Sequence, residues 1–278
     1  MREKLIEKGL LSITLLFIAI ILLLLIFLMT ESLPAFSQIG LNNLLAHQWM
    51  PDNNLFGLFP MIVSSLLVSF LALLIAVPLS ITTAIFTQEI ASDKVKKLFK
   101  PLIQTLSGIP SVVYGFFGLT MIVPFIREYA GGSGFTILTA IIVLSIMILP
   151  TIVSLSQDAI DNVPFEYRQA SLALGSTHFQ TIYKVILPCA MPGIVVAVLL
   201  GFGRAIGETL AVLMVVGNVS QIPSSLLDPV RTLTSNIALE MGYAMDIHYN
   251  ALFANAMILF IIIVILMIIS NSIQRKWG

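Results

Sequence analysis

Six apolar runs, each long enough to cross a bilayer, constrain this chain more than any other feature of its sequence. The first covers residues 10–29 without a charge, and the others cover about 58–86, 102–126, 135–155, 190–216 and 251–270. At ~1.5 Å per residue, such runs cross the ~30 Å of bilayer hydrocarbon. Only 10% of the residues are charged and 58% are apolar, against roughly 25% charged in soluble domains. The sequence therefore predicts an all-α integral membrane protein with six transmembrane helices.

The basic residues fall mostly on one side of this six-span arrangement. The side that holds both termini carries Arg2, Lys4, Lys8, Lys94, Lys96, Lys97, Lys100, Arg168, Lys184, Arg275 and Lys276. The opposite loops hold only Arg127 and Arg231, and Arg204 lies within the fifth run. Because Lys and Arg near span ends are retained in the cytoplasm, we predict that both termini are cytoplasmic.

Composition excludes several other classes of protein. Fourteen basic residues balance fourteen acidic ones, so no net charge recruits nucleic acid. The single cysteine, Cys189, excludes internal disulfides, and the three histidines are too scattered to predict a metal site. We expect Cys189 to be a small packing residue. For the domains, we expect residues 1–57 to form an appended transmembrane helix with an external loop, and residues 58–278 to form the transmembrane core.

The fifth run contains Arg204 near its midpoint and Glu208 four residues later. A guanidinium at the centre of a span costs ~2.5–3.5 kcal/mol on insertion scales, so it should face a partner or a water-filled cavity. On a continuous helix both charges share a face with Gly193, Ala197 and Gly201, whose small side chains let another helix approach. Two interpretations stay open. The pair is a buried tie within the bundle, or Arg204 offers its five-donor fork to an oxyanion while Glu208 orients it.

A second polar stripe is predicted in the third run. Helical spacing relates Gln104, Ser107, Ser111, Tyr114 and Gly118. Hydroxyls on one face either line a polar route or hold neighbouring helices together.

The longest predicted cytoplasmic connection, residues 157–189, has the signals of two short helices. Asn162 is a good cap for a helix over 163–174, which Gly175 is placed to end. A second helix over 178–187 is predicted to stop at Pro188. The first helix has one modestly apolar face, formed by Val163, Tyr167, Ala170 and Leu174. Because it lacks the basic polar face of a membrane-surface helix, we favour docking on a soluble partner over an interfacial helix.

Two groups of motifs carry a resemblance to a known family. The segment Gln169-Ala-Ser-Leu-Ala-Leu-Gly175, followed after nine residues by Val185-Ile-Leu-Pro188, resembles the loop signature of ATP-binding-cassette (ABC) importer permeases. The segments Ser107-Gly-Ile-Pro-Ser-Val-Val-Tyr-Gly-Phe116 and Gly201-Phe-Gly-Arg-Ala-Ile-Gly-Glu-Thr209 look like the PstC-type permeases of phosphate-specific transport. Gln169 and Ser171 depart from the usual Glu and Ala of the loop signature, so an ionic contact made by that Glu would be reduced here to a hydrogen bond at most.

The resemblance implies a type I, MetI-like permease fold in a prokaryotic cytoplasmic membrane. It also implies a PstA-like second permease, two cytoplasmic ATPase subunits, an extracytoplasmic phosphate-binding protein, and inorganic phosphate as substrate. The chain itself would be no enzyme and hold no cofactor, since it lacks the Gly-x-x-x-x-Gly-Lys-Ser/Thr loop that cradles phosphates; ATP and Mg would be bound by the ATPase partners. The substrate-pathway residues carried over are Arg204, Glu208, Ser107, Ser111 and Tyr114. The ATPase-coupling residues are Val163, Glu166, Tyr167, Gln169, Ala170, Ser171, Leu174 and Gly175.

Three other functions share some of these sequence features. A permease for another oxyanion, sulfate or molybdate, would have the same features. An ion-coupled secondary anion transporter would also use an intramembrane Arg, but it would more often show paired halves with broken helices and would not need the loop signature. An intramembrane hydrolase is disfavoured because the chain has no His-Glu-x-x-His motif and no nucleophile elbow.

Overall fold

The structure is a computed structural model that describes the backbone of residues 2–277 and the side chains of residues 7–269 and 272. It is almost entirely helical. The helices are α1 (Arg2–Gln38), α2 (Leu41–Leu44), α3 (Phe59–Ile85), α4 (Asp93–Ser107), α5 (Ser111–Phe117), α6 (Val123–Tyr129), α7 (Ile137–Asp161), α8 (Phe165–Ala173), α9 (His178–Thr181), α10 (Leu187–Gly207), α11 (Leu210–Val215), α12 (Leu233–Glu240) and α13 (Asp246–Trp277). Two short antiparallel strands, β1 (Trp49–Met50) and β2 (Leu55–Phe56), complete the fold.

Six of the described helical stretches are long and apolar enough to cross a membrane, which confirms the prediction of six spans. They cover Glu7–Gln38, Phe59–Ile90, Ser111–Tyr129, Ile137–Asp161, His178–Gly207 and Asp246–Ile269. The predicted bounds of the third and fifth spans were wrong, for the reasons given below. The cytoplasmic placement of both termini stays a prediction.

The third span begins later than the predicted range 102–126. Residues 108–110 interrupt the helix, so α4 and α5 are separate. Pro110 lacks an N–H and disfavours helical geometry in the residue before it, which accounts for the break. The Tyr114 hydroxyl donates a 2.7 Å hydrogen bond to the carbonyl of Leu106. This bond satisfies a carbonyl at the end of α4 and links the two helices.

The predicted fifth span is interrupted near its C-terminal end. The predicted span 190–216 is two helices, because α10 ends at Gly207 and Glu208 is extended, with φ −69° and ψ 132°. The short helix α11 then resumes two residues later. Arg204 therefore lies in the last turn of α10, and its predicted place at the middle of a continuous helix was wrong.

Pro188 and Pro124 each follow a π-helical turn within a span that continues past the proline. The prediction that a helix stops at Pro188 was wrong, since the chain continues through a π-helical turn over Ile182–Ile186 directly into α10. In this turn the N–H of Leu187 bonds to the carbonyl five residues earlier, a longer register that accommodates the missing donor and the ring of the proline. A second π-helical turn, Gly118–Ile122, precedes Pro124 in the same way.

The central helix of the bundle is α7, which packs between α3 and α10. Its side chains Met147, Ile148 and Ile152 are fully buried. Ser145, also buried, donates a 3.0 Å hydrogen bond to the carbonyl of Ala72 on α3. The apolar and polar contacts of α7 together hold the inner bundle.

The small residues of α10 face α7, as the sequence predicted for this stripe. A Cβ added at Gly193 would lie 2.6 Å from Cβ of Ala159, and one added at Gly201 would lie 2.6 Å from Cγ1 of Ile152. Ala197, between the two glycines, is completely buried. The stripe therefore allows two backbones to approach closely, as small residues do between membrane helices.

Residues 35–56 of the N-terminal part share a hydrophobic cluster with α12 and α13. The first span lies along α13, where the rings of Phe27 and Phe253 meet edge to face at 5.5 Å. The strands β1 and β2 pair Trp49 with Phe56, and both side chains are buried in the cluster. The division of the chain at residue 57 stays a prediction. Residues 35–56 contribute buried side chains to the cluster, whereas the side chains of residues 7–24 are exposed.

The close approach of α7 and α10 leads to a prediction with a matched control on one helix. Gly201→Ala forces Ile152 to move and is expected to destabilise the protein by about 1–3 kcal/mol. Gly203→Ala meets nothing within 4 Å and should be neutral or stabilising, because Ala favours helix by up to ~1 kcal/mol over Gly. Thermal unfolding of the two variants in detergent measures the difference. Equal melting temperatures would contradict the packing described for Gly201.

Candidate functional site

Arg204 is held in the last turn of α10 by a contact with α7. Its Nη1 donates a 2.8 Å hydrogen bond to Oγ1 of Thr151, and the residue is partly buried. A cation in the last turn of a helix is stabilised by the partial negative charge of the free carbonyls there. Thr151 uses one of the five donors of the guanidinium. No ion pair among the described side chains neutralises it, so Arg204 keeps donor capacity for an anion.

Glu208 is not on the same helical face as Arg204, and the expectation of a direct pair was wrong. The helix ends between them, so the four-residue spacing no longer places the two charges one turn apart. The Glu208 carboxylate instead accepts a 3.2 Å hydrogen bond from the backbone N–H of Ala211 in α11. Its backbone carbonyl accepts a 2.7 Å bond from Oγ1 of Thr234. These contacts hold the extended segment between α10 and α11.

The predicted polar stripe of the third run is divided by the break at residues 108–110, so its members do not share one helical face. The Ser107 hydroxyl donates to the carbonyl of Gln104. The buried Tyr114 donates to the carbonyl of Leu106 across the break. Ser111 is partly buried at the first position of α5. Its hydroxyl takes part in no hydrogen bond within the described part of the chain.

The structure nevertheless brings α5 beside the segment that carries Glu208. A Cβ added at Gly115 would lie 2.9 Å from Cα of Ala211 and 2.8 Å from Sδ of Met214, so α5 and α11 touch through their backbones. The helix that carries Ser111 and Tyr114 therefore lies next to Ala211, whose amide bonds to Glu208, while Ser107 lies on the other side of the break.

The loop between the fourth and fifth spans, predicted to be cytoplasmic, is ordered as two short helices, with one corrected boundary. Asn162 caps the end of α7 rather than the start of α8, which begins after Pro164. Gly175 ends the helix as predicted, with φ +86°. The amides of Gly175 and Ser176 bond back to carbonyls of the last turn, which is the Schellman arrangement that favours glycine.

The predicted coupling residues divide into a buried and an exposed set. Val163 is 5% exposed and packs inward, so it is not part of an outward apolar face as the sequence suggested. Ser171 is also buried, and its hydroxyl lies 3.0 Å from Oγ1 of Thr181 on α9. The hydroxyl at this position therefore joins the two loop helices to each other. The exposed set is Glu166, Tyr167, Gln169, Ala170, Leu174 and Gly175.

Three large apolar side chains of the loop are mostly exposed. Leu174 is 87% exposed, Phe179 is 73% exposed and Tyr183 is 69% exposed. Periodicity in the sequence did not identify Phe179 and Tyr183, because they belong to α9 and the π-helical turn rather than to the first loop helix. An exposed apolar patch next to the charged end of a bundle is typical of an interaction surface.

The contacts of Arg168 were also not predictable from local sequence patterns. Its Nη2 lies 2.8 Å from Oε1 of Glu89, at the inner end of the second span, and 3.1 Å from the carbonyl of Ile160. Its Nη1 donates to the carbonyl of Val163. The side chain thus joins α8 to two spans at once. Glu89 and Arg168 are 79 residues apart, so no short-range signal could have paired them.

A buried polar cluster stands on the opposite side of the bundle. Oε2 of Glu240 accepts a 2.8 Å hydrogen bond from the indole of Trp49, and Oε1 accepts a 2.6 Å hydrogen bond from Arg231. Nε2 of His248 also lies 2.8 Å from Oε2. Partial burial raises the pKa of nearby Tyr243, and the negative charge of Glu240 raises it further. The cluster fastens α12 to β1 and to the start of α13.

Metal and thiol chemistry find no support in the described residues. No three His, Cys, Asp or Glu side chains in that part of the chain converge as a metal site requires. Cys189 is exposed, so the expectation that it is a packing residue was wrong. It lies in the first turn of α10.

Comparison with known families decides the class of this fold. Residues 76–277 match the family described as "Binding-protein-dependent transport system inner membrane component". The chain belongs to this family. It is therefore a multi-pass inner-membrane permease component, with a role in transport rather than in enzymatic catalysis.

Relatives of this permease cover most of its length. It is 46% identical over 235 residues to the "Probable ABC transporter permease protein YqgH" of Bacillus subtilis (strain 168), covering 82% of this chain and 76% of the relative. It is 35% identical to the "Phosphate transport system permease protein PstC" of Pasteurella multocida (strain Pm70), covering 88% and 84%. The "Probable phosphate transport system permease protein PstC" of Methanocaldococcus jannaschii is 30% identical over 99% of this permease and 95% of the relative.

Solved permease structures confirm the predicted MetI-like fold. A bacterial alginate ABC transporter in complex with an alginate-bound periplasmic protein matches with a TM-score of 0.67 and 18% identity, covering 98% of this permease and 96% of that chain. The MetNI methionine ABC transporter in an inward-facing conformation matches with a TM-score of 0.59 and 20% identity, covering 80% and 94%.

The contact between Arg168 and Glu89 predicts how firmly the loop of the permease is held. Glu89→Ala removes a charge-assisted hydrogen bond worth ~1.5 kcal/mol, so the amides of α8 should exchange with deuterium about tenfold faster. Glu166→Ala, in the exposed first turn of the same helix, should leave exchange unchanged. Hydrogen exchange read by mass spectrometry in detergent checks both variants. Unchanged exchange in Glu89→Ala would show that Arg168 does not hold the loop.

Proposed function

We propose that this chain is a permease subunit of an ATP-driven phosphate importer, which forms the membrane pathway for inorganic phosphate with a second, PstA-like permease. The proposal depends most on the state of Arg204 within a predicted span. Its guanidinium makes one side-chain hydrogen bond and forms no ion pair with the described residues. Membership of the family and the phosphate-transport names of relatives support the choice of substrate. ATP hydrolysis belongs to separate subunits in this proposal.

Arg204 is proposed as the anion-binding group of the pathway. The hydrogen bond to Thr151 orients the guanidinium, and its remaining donors match the oxygens of a phosphate. Glu208 lies across the helix break and binds the amide of Ala211, so it does not occupy the donors of Arg204. Its negative charge nearby limits how tightly an anion is retained, and release is as necessary as binding in a pathway.

The hydroxyl groups have different proposed roles. Ser111, at the start of α5, has a hydroxyl that no described contact uses and is proposed to line the pathway. Tyr114 and Ser107 donate to backbone carbonyls, so they are proposed to shape the pathway wall around the break. Their oxygens retain acceptor capacity.

The loop surface formed by α8, α9 and the following π-helical turn is proposed as the dock for an ATPase subunit. Its exposed residues Leu174, Phe179 and Tyr183 supply the apolar contact, with the exposed coupling residues around them. ATP and Mg are bound by the two ATPase partners, and an extracytoplasmic phosphate-binding protein delivers the substrate. Closure of the ATPases then moves the loop as a rigid body and alternates access to the pathway. Arg168 carries this movement to the second span through Glu89.

Loss of the anion-binding group should stop transport without dismantling the transporter. Arg204→Gln is expected to reduce phosphate uptake about 10- to 100-fold, the cost of losing charge-assisted hydrogen bonds of ~1.5–3 kcal/mol. Uptake is measured in proteoliposomes that contain the complete transporter, and a pull-down of the ATPase checks assembly. Arg127→Gln, whose guanidinium donates to the carbonyl of Ser133 at a span end, is the control and should leave uptake unchanged. Normal uptake by Arg204→Gln would remove the assignment.

The source of energy separates this function from an ion-coupled anion transporter. The breaks in α4–α5 and α10–α11 resemble the discontinuous helices of such transporters, so this alternative is tested directly. Uptake in proteoliposomes should require internal ATP and should persist when ionophores collapse all ion gradients. Uptake that follows a gradient without ATP would contradict the proposal. Competition by sulfate and molybdate in the same assay identifies the preferred oxyanion.

A further inference from the structure

A basic groove lies beside α4, outside the candidate pathway. Its volume is about 450 Å³, and it is lined by three lysines of α4 together with polar side chains from the C-terminal ends of the second span and of α7. The lysines are Lys96, Lys97 and Lys100. Because α4 is a separate helix that ends before the third span begins, these charges lie at the predicted cytoplasmic surface of the membrane.

The charges of this groove are unbalanced. The acid that lines it is Asp161, whose carboxylate accepts a 3.1 Å hydrogen bond from the side chain of Gln88. Lys96 donates to the backbone carbonyl of Gln88. Lys97 and Lys100 take part in no hydrogen bond or ion pair within the described residues. Glu89 and Arg168 adjoin the groove but neutralise each other. The groove therefore presents net positive charge to an anion.

The other face of α4 is apolar and uncovered. Leu98 is 61% exposed, Leu102 is 50% exposed and Leu106 is 43% exposed. Their spacing of four residues places them in one stripe along the helix. Ile103, on the side towards α7, is buried and anchors α4 to the bundle. A helix with an apolar stripe beside a row of lysines is the arrangement that places acyl chains and anionic headgroups side by side at a membrane surface.

We propose that this groove binds the phosphate group of an anionic phospholipid, with the acyl chains lying over the leucine stripe. Basic pockets between helices on the cytoplasmic side bind such headgroups. Gln104 and Gln157, which also line the groove, supply neutral donors to the phosphate oxygens. Inorganic phosphate carries the same chemical group but makes no use of the leucine stripe. The proposal does not rest on the transported substrate, and the test below does not measure transport.

The test compares lipids retained by the full chain after purification from defined bilayers. The protein is reconstituted in equal amounts of phosphatidylglycerol and phosphatidylcholine, extracted, and examined by native mass spectrometry. We expect phosphatidylglycerol to be retained preferentially, and the preference to fall at least fivefold in Lys96→Gln/Lys97→Gln/Lys100→Gln. Lys94→Gln, on the same helix outside the groove lining, is the matched control and should keep the preference.

Further variants separate headgroup from chain recognition and guard against misfolding. Replacement of the three groove lysines by Arg should restore the preference for phosphatidylglycerol. Leu98→Gln/Leu102→Gln should reduce retention of the lipid although every lysine is present. If the triple variant is not monodisperse, the single variants Lys97→Gln and Lys100→Gln serve in its place and should each lower the preference about twofold.

Three results would overturn the proposal. Equal preference for phosphatidylglycerol in the triple Gln variant and the parent chain would show that the lysines do not select the lipid. Equal retention of the two lipids by the parent chain would show that no anionic lipid is selected. Displacement of the lipid by millimolar inorganic phosphate, but not by equal concentrations of chloride, would identify a free-anion site instead.

Discussion

The close packing of α10 on α7 is the contact on which the rest of the structure depends. Two glycines and an alanine bring the helices together, and the hydrogen bond from Arg204 to Thr151 lies at the outer end of the same contact. Larger residues would push the backbones of α10 and α7 apart and would separate Arg204 from Thr151. The hydrocarbon of the bilayer offers no hydrogen-bond acceptor to replace Thr151. The geometry of the proposed anion-binding group is therefore a property of the whole interface.

Much of the architecture follows from hydropathy and small-residue patterns, but the interruptions of the helices do not. Six spans are visible because bilayer thickness sets a minimum apolar length, and the stripe of Gly193, Ala197 and Gly201 correctly indicated a helix contact. No proline near Glu208 indicates in the sequence that the helix breaks there. It is stabilised by bonds to Ala211 and Thr234 that only the folded chain provides. Extrapolating one helix through this point produced the erroneous pairing of Arg204 with Glu208.

Long-range polar contacts were equally invisible in the sequence. In the sequence, Arg168 is only one of the basic residues that predict the orientation of the spans. In the structure its side chain joins the loop between the fourth and fifth spans to the second span through Glu89. Ser171 looked like a departure from a family signature, and the structure shows it bonded to Thr181 inside the loop. Pro188 looked like a terminator, but a π-helical turn absorbs it. In each case the decisive partner lies beyond the reach of a local pattern or in a backbone register that periodicity does not encode.

The solvent-facing thiol of Cys189 has a practical consequence. It is the sole cysteine of the chain, and it borders a shallow depression shared with Pro164 and Tyr167 at the base of α8. A maleimide dye or nitroxide can therefore be attached at one defined point without first removing native thiols. Such a reporter sits where the soluble loop meets the membrane bundle, so the spectroscopic signal registers motion between them in an otherwise unaltered polypeptide.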